Sequence, residues 1–174
     1  MRYNLIKMIL RASALLITLL LTALVGNVMT SNIDAVGSAT AAVNFAMFVA
    51  IISWIVCIIG LVAFFASALD KPLLQMPLDG AAVLFSFISA VVLAAKLRAV
   101  DCGKIDPKAL PNDWIAWGSA SDEKRCRELQ GSTVFMWFLF VCFCGSLFLS
   151  VRDARNTFGS LRASRPSMSQ ISGV

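Results

Sequence analysis

Four apolar runs, each of about 20 residues or more, constrain this chain more than any other feature of its sequence. They lie at residues 8–28, 43–69, 77–97 and 133–151. A hydrocarbon core about 30 Å thick needs about 20 apolar residues in a helix, because each residue adds about 1.5 Å. Every run meets this requirement. The sequence therefore predicts an all-α membrane protein that forms a bundle of four transmembrane helices.

Composition supports a membrane environment and weighs against an enzyme. Of the 174 residues, 59% are hydrophobic and 14% are charged, whereas soluble domains average roughly 45–50% and about 25%. The chain has no histidine, so it lacks the commonest general base and the commonest metal ligand. No phosphate-binding loop, nucleophile elbow or zinc-protease motif occurs. We expect no catalytic residue, no metal and no cofactor.

The net charge of +5 does not indicate a nucleic-acid partner. The basic residues flank the apolar runs and form no patch with interleaved aromatic residues. Before and at the start of the first run, Arg2, Lys7 and Arg11 give the basic start that is also typical of a signal peptide. The run is close to a full span in length, which favours a helix that the protein retains.

The connections between the runs predict the order of the helices. Asp70, Lys71 and Pro72 interrupt the pattern only briefly, so the second and third helices are expected to be antiparallel neighbours. Pro72 and Pro77 both suit a helix start, where the missing N–H has no partner to lose. A long outer loop follows at 101–128. The predicted membrane domain covers 1–151, and a basic, serine-rich tail covers 152–174.

The cysteines of the outer loop bear on orientation. Cys102 and Cys126 each lie close to a helix end, and their spacing suggests one disulfide, with two unpaired thiols as the alternative. Disulfides persist on the oxidising side of a membrane. The distribution of lysine and arginine barely favours one orientation, because eight of these residues lie on the side of the termini and seven on the side of the outer loop. We expect the loop to be outside and both termini to be cytoplasmic.

Asp79 is the residue that most resembles a functional group. A carboxylate inside a span is costly and is a functional hypothesis by default. Because Asp79 follows Pro77 by two residues, we interpret it as a first-turn residue that stabilises the positive end of the helix dipole, in preference to an ion or proton relay. Ser86 and Ser89 share its helix face, and with Asn44 they are interpreted as packing residues that hydrogen-bond between helices, at about 0.6 kcal/mol each.

The tail suggests a lipid-binding switch. Its basic and hydroxyl residues are Arg152, Arg155, Arg162, Ser164, Arg165 and Ser167. A basic segment beside a membrane attracts anionic lipid by about 1 kcal/mol per residue, and phosphorylation of neighbouring serines would weaken that attraction. An equally weighted alternative is a solvated tail that only fixes topology.

The chain resembles the fungal non-classical export protein family, four-helix proteins of the MARVEL class from eisosome-associated domains of the plasma membrane. The resemblance covers nearly the whole chain. It rests on Ile9-Leu10-Arg11, Val43-Asn44-Phe45, Met47-Phe48, Leu78-Asp79, Phe85-Ser86-Phe87, Val92-Leu93-Ala94, Arg98-Ala99, Cys102 and Arg125-Cys126-Arg127. It implies a multi-pass plasma-membrane organiser without enzymatic activity, linked to eisosome assembly, sphingolipid levels and unconventional export. The long loop with Trp114 and Trp117 departs from the family pattern.

The leading functional hypothesis is therefore a membrane scaffold. Its expected partners are membrane lipids, which include sphingolipid, sterol or anionic lipid, and other integral membrane proteins or a second copy of the chain. The Phe-rich third and fourth helices offer a surface for such partners. Two alternatives are an accessory subunit of a larger membrane pump or synthase, and a small transporter or channel whose pathway includes Asp79, Ser86 and Ser89.

Overall fold

The structure is a computed structural model that describes residues 2–33, 37–63, 72–98, 100–104 and 114–163. Within these residues the chain forms four helices, α1 Arg2–Thr30, α2 Ser38–Val62, α3 Pro72–Leu97 and α4 Asp122–Ala163. All four are long and apolar enough to cross a membrane. The predicted all-α bundle of four membrane helices is confirmed.

The helices pack as a ring in which α1 contacts α2 and α4, while α3 contacts α2 and α4. Successive helices are therefore neighbours, and α1 lies diagonally opposite α3. We call the end of the bundle that holds residues 30–33, 100–104 and 114–122 the loop end. The opposite end, where α1 begins and α4 finishes, is the terminal end.

A seven-residue repeat of buried side chains forms the core. On α4, apart from Cys126 and Ala154, the buried positions alternate at spacings of three and four residues, and they are Arg125, Leu129, Ser132, Met136, Leu139, Phe143, Ser146 and Ser150. This spacing is that of left-handed bundles, in which two buried positions per heptad face the neighbouring helices. Large apolar residues outside the repeat, such as Val141 and Phe148, point outward. In a membrane these residues face lipid.

The structure corrects the predicted start of α3. This helix begins at Pro72, and Pro77 is inside it. A proline within a helix loses one backbone hydrogen bond, but membrane helices tolerate it because neighbouring groups can satisfy the freed carbonyl. Pro72 occupies the first helical position, where proline costs nothing. The predicted start at Pro77 is therefore wrong, and so is the placement of Asp79 in a first turn.

The other helix bounds also differ from the predicted spans. α2 begins at Ser38, five residues before the apolar run, because small residues there, such as Ala39 and Ala42, are buried. α4 begins at Asp122, inside the predicted outer loop, and continues through residues 152–163 of the predicted tail. Its 42 residues extend about 63 Å, twice the thickness of the hydrocarbon core. Residues 64–71, 105–113 and 164–174 lie outside the described residues.

The start of α4 is helical because it has both a cap and a buried face. Asp122 and Glu123 occupy the first turn, where negative charge is favoured. The backbone N–H of Ser119 donates to Asp122 Oδ1 at 3.0 Å. One turn later, Arg125 and Cys126 are buried beneath the loop. A region that looks like a charged loop in the sequence is therefore the first turns of a long helix.

The loop end is closed by a packed cap. A disulfide joins Cys102 to Cys126, whose Cα atoms are 5.7 Å apart. The indole N–H of Trp114 donates to the carbonyl of Leu97, the last residue of α3, at 3.1 Å. Buried Arg125 donates from Nε to the carbonyl of Ile115 at 3.2 Å and from Nη1 to Asn32 Oδ1 at 3.0 Å. These bonds tie the described part of the loop to three helix ends.

Candidate functional site

A charged cluster occupies the interior of the bundle near the terminal end. The Asp79 side chain is fully buried, and its Oδ1 accepts from Arg11 Nη2 at 2.6 Å. Its Oδ2 accepts from the hydroxyl of Ser150 at 2.8 Å. Arg11 is 5% exposed. Because Arg11 is on α1 and Asp79 on α3, this ion pair crosses the diagonal of the bundle.

The remaining helix, α2, makes room for the cluster. A Cβ atom added to Gly60 of α2 would lie 2.5 Å from Arg11 Nε and 2.7 Å from its Cζ. The guanidinium group therefore packs directly on the backbone of α2. Only glycine leaves that space, since any side chain would displace Arg11 from Asp79. Each of the four helices thus contributes one residue to the cluster.

A second ion pair reinforces the cluster one turn nearer the terminal end. Lys7 of α1 donates to Asp153 of α4. Lys7 precedes Arg11 by four residues, and Asp153 follows Ser150 by three, so each pair shares a helix face. The Lys7 and Asp153 side chains are partly exposed. Two ion pairs therefore hold the helices together at this end of the bundle, and the pair nearer the end of the bundle is the more exposed to solvent.

The buried hydroxyl groups of the next turns mostly bond within their own helices. Thr18 donates to the carbonyl of Ala14 at 2.7 Å, and Ser53 to that of Val49 at 2.8 Å. Ser86 donates to the carbonyl of Ala82 at 2.7 Å. Such bonds satisfy the hydroxyl without a partner helix and let the backbones approach closely. Ser89 is also buried, and its hydroxyl has no hydrogen-bond partner among the described residues.

The predicted intramembrane residues therefore have different surroundings. Asp79, Ser86 and Ser89 all face the interior of the bundle. Asp79 bonds to two other helices, whereas Ser86 bonds only to its own. Asn44 is exposed and lines a small groove with Asn32 and Arg125 at the loop end.

The basic residues predicted for the tail lie at the end of α4 and beyond it. Arg152 and Arg155 are exposed on α4. Arg162 is within the helix, but its side chain lies outside the described residues, as do Ser164, Arg165 and Ser167. The first part of the predicted tail therefore presents its charge from a helix that continues the bundle.

Sequence reasoning missed Arg11 and Arg125. Both were counted only as charges that set topology, and both are buried with hydrogen-bond partners. The signal for Arg11 was available, because it lies three residues inside the first apolar run. A carboxylate inside a membrane span indicates a paired or functional residue, and the same rule applies to a cation inside a span. The sequence could therefore have predicted that Arg11 pairs with Asp79. Arg125 gave no such signal, since its neighbours in sequence are charged.

Four membrane-length helices in a ring, with a closed charged interior and a disulfide-anchored cap, define a four-span membrane domain. The chain belongs to the MARVEL family of membrane-associating domains, whose model matches residues 4–149. Membership in this family of membrane-associating domains points to no catalytic activity.

Two yeast proteins resemble the chain, and they confirm the resemblance found in the sequence. Non-classical export protein 2 of Saccharomyces cerevisiae is 30% identical over 103 residues, which are 58% of this chain and 57% of that protein. Its homolog 1 from the same yeast is 32% identical over 102 residues, 58% of this chain and 55% of that protein. The matches thus span little more than half of these relatives. No solved structure matches the chain.

Proposed function

We propose that this protein is a non-enzymatic organiser of the plasma membrane, which associates with lipids and with other integral membrane proteins in eisosome-type domains. The observation that carries the proposal is the division of the bundle into a closed interior and an apolar exterior that carries clusters of aromatic side chains beside α3. The interior charges of Arg11 and Asp79 neutralise each other. The groups left to meet a partner are therefore on the outer faces.

Aromatic side chains concentrate on both flanks of α3. Between α2 and α3, Phe48 lies 6.3 Å from Phe45 and 5.9 Å from Phe85 between ring centroids. Between α3 and α4, Phe87 lies 5.4 Å from Phe140 and 6.1 Å from Trp137. Rings in mutual contact make a stiffer surface than isolated aliphatic side chains, because each holds the other in place. Such a surface suits shape-selective contact with lipid or with another helix.

The relatives support the direction of this proposal. They are named for non-classical export, and we extend to this chain a role in unconventional export and a response to sphingolipid levels. The exposed arginines at the end of α4 suit attraction to anionic lipid on the cytoplasmic side.

Native mass measurement in a mild membrane environment tests the proposal. We expect oligomers, or stable complexes with other integral membrane proteins. Phe48→Ala removes an exposed ring from the α2–α3 flank and is expected to reduce association. Leu16→Ala, which alters an exposed apolar residue on α1, is the matched control. Monomers without any membrane partner in pull-downs would refute the proposal.

The buried carboxylate of Asp79 is the observation that favours the transporter alternative. Its contacts weigh against it, because both carboxylate oxygens already accept a hydrogen bond, one from Arg11 and one from Ser150. Reconstituted vesicles separate the two functions. A solute or proton flux that Asp79→Asn abolishes would support transport, and vesicles without flux would support the organiser.

A further inference from the structure

A groove between α3 and α4 at the loop end combines positive charge with apolar surface. Its volume is about 930 Å³, within the range of about 300–1,000 Å³ that is usual for small-ligand sites. The groove is lined by Ala94, Leu97, Arg98, Val100, Arg127, Gln130, Gly131, Thr133 and Val134.

Two guanidinium groups, those of Arg98 and Arg127, line this groove. Arg98 is exposed directly after α3, and its side chain makes no ion pair or hydrogen bond within the described residues. Arg127 Nη2 bonds to Glu123 Oε1 at 2.6 Å, in a pair whose side chains are 64% and 54% exposed. An exposed pair of this kind contributes little to stability, and Arg127 retains further donors. Both arginines are therefore available to an anion.

The backbone at Arg98 indicates that the side chain is needed there. Its φ is 61°, in the left-handed region. A helix that ends in this conformation usually has glycine at that position, because other residues are strained. The chain places an arginine at this position, beside the groove. A strained residue that supplies a charge to a groove is a candidate for binding.

Away from the two arginines the groove is lined by small and apolar residues. On α4 its lining extends from Arg127 to Val134, seven residues or about 10 Å. On α3 the exposed residue Ala94 leaves space beside this lining. Beyond the lining residues, Phe87 of α3 contacts Trp137 of α4.

We propose that this groove binds one phospholipid through the phosphate of its headgroup. Arg98 and Arg127 would hold the phosphate, since two guanidinium forks match its oxygens. One acyl chain would lie along Ala94 and Val134 as far as Phe87 and Trp137. This inference rests on the proposed lipid-associating function and deepens it by naming the lipid class and the site. A neutral lipid without phosphate would leave both cations unused.

Native mass spectrometry of the full chain, with dioleoylphosphatidylglycerol as the probe, tests the site. We expect one tightly retained lipid per chain, and an affinity about tenfold lower after Arg98→Gly or Arg127→Gln, as expected when one charge-assisted hydrogen bond is lost. Arg98→Gly also relieves the positive φ, so a loss of binding cannot come from misfolding. Ala94→Phe fills the groove without changing charge and is expected to lower retention as well.

The controls separate this site from general surface charge and from the organiser function. Lys124→Gln removes one cation from an adjacent turn of α4 outside the groove and is expected to leave retention unchanged. Equal retention by Arg98→Gly, Arg127→Gln and the unchanged protein would overturn the proposal. Equal retention of dioleoylglycerol, which lacks phosphate, would also overturn it. Oligomers and partner complexes are counted in the same spectra, so a failed lipid site and a failed organiser function give different results.

Discussion

Arg11 and Asp79 place opposite charges on opposite helices of the ring, so their contact fixes the distance across the bundle. A buried ion pair gains little over apolar residues of similar size, but removal of one partner leaves an uncompensated charge. The pair is therefore better understood as a device that specifies which helices meet and in which register. It defines one arrangement of helices that are otherwise apolar on every side.

Loss of one partner is expected to cost more than loss of both. Asp79→Leu or Arg11→Met alone should lower the free energy of unfolding by about 3–5 kcal/mol, and the double variant should recover most of that loss. Thermal unfolding in nanodiscs measures the difference. Lys124→Met removes the exposed lysine of the pair with Glu128, serves as a control and should cost less than about 1 kcal/mol. A double variant as unstable as the sum of the single variants would contradict this account.

Gly60 and Gly80 offer a matched pair of substitutions. Gly60→Ala places a methyl group 2.5 Å from Arg11 Nε, which must displace a guanidinium held by Asp79. We expect a loss of about 1–3 kcal/mol, typical of an overpacked core. Gly80→Ala meets no atom within 4 Å and should be neutral or slightly stabilising, since alanine favours helices. The same unfolding assay compares them, and equal effects would show that Gly60 does not make room for Arg11.

The sequence predicted Asp79 as a special residue but gave the wrong reason. Proline is usually a helix boundary, and Pro77 therefore suggested a first-turn aspartate. In the structure the helix continues through Pro77, and Asp79 reaches a cation 68 positions earlier in the chain. Sequence rules for helix ends are local, whereas this contact depends on the packing of α1 against the rest of the bundle.

Among the helices, α4 is the element that links the membrane bundle to both of its surfaces. At the loop end its first turns carry Cys126 and Arg125, which hold the cap. At the terminal end Ser150 and Asp153 bond to the charged cluster. Its length was missed because charged residues at both ends resemble loops, although charges three and four apart are also typical of a solvated helix surface.

The disulfide is expected to stabilise the start of α4 in particular. Cys102→Ser should lower the free energy of unfolding by about 2–4 kcal/mol, because the bond anchors the loop to the second turn of the helix. Hydrogen exchange should accelerate in residues 122–129 and stay unchanged in residues 136–150, deeper in the bundle. Cys142→Ser, a half-buried free cysteine, is the control and should leave the exchange pattern intact. Uniform acceleration along α4 would contradict a local role.

The sequence predicted the class of the whole molecule, but it did not predict which side chains face the inside of the bundle. Apolar runs of span length require helices in a membrane, whatever the details. In a helix that is apolar all round, hydrophobicity no longer distinguishes the core from the lipid face. The small and hydroxyl residues mark the core instead, as Thr18, Ser53 and Ser86 show. The side chains of the cap, such as Trp114, had no periodic signal at all.

Orientation is the property of the whole molecule that can be tested most directly. Four spans place both termini on one side, and the disulfide predicts an oxidising environment for the loop end. We expect tags at either terminus to resist protease in intact cells and to become accessible after permeabilisation.

The thiols of the cap give the complementary measurement. An impermeant reductant followed by an impermeant maleimide should label intact cells at Cys102 and Cys126, since the remaining cysteines, Cys57, Cys142 and Cys144, lie within the spans. The double variant Cys102→Ser and Cys126→Ser should lose that label. Termini that are digested in intact cells, with a cap labelled only after permeabilisation, would reverse the orientation. In that case the groove with Arg98 and Arg127 would face the inner leaflet, where anionic lipids are concentrated, and the arginines at the end of α4 would lie outside.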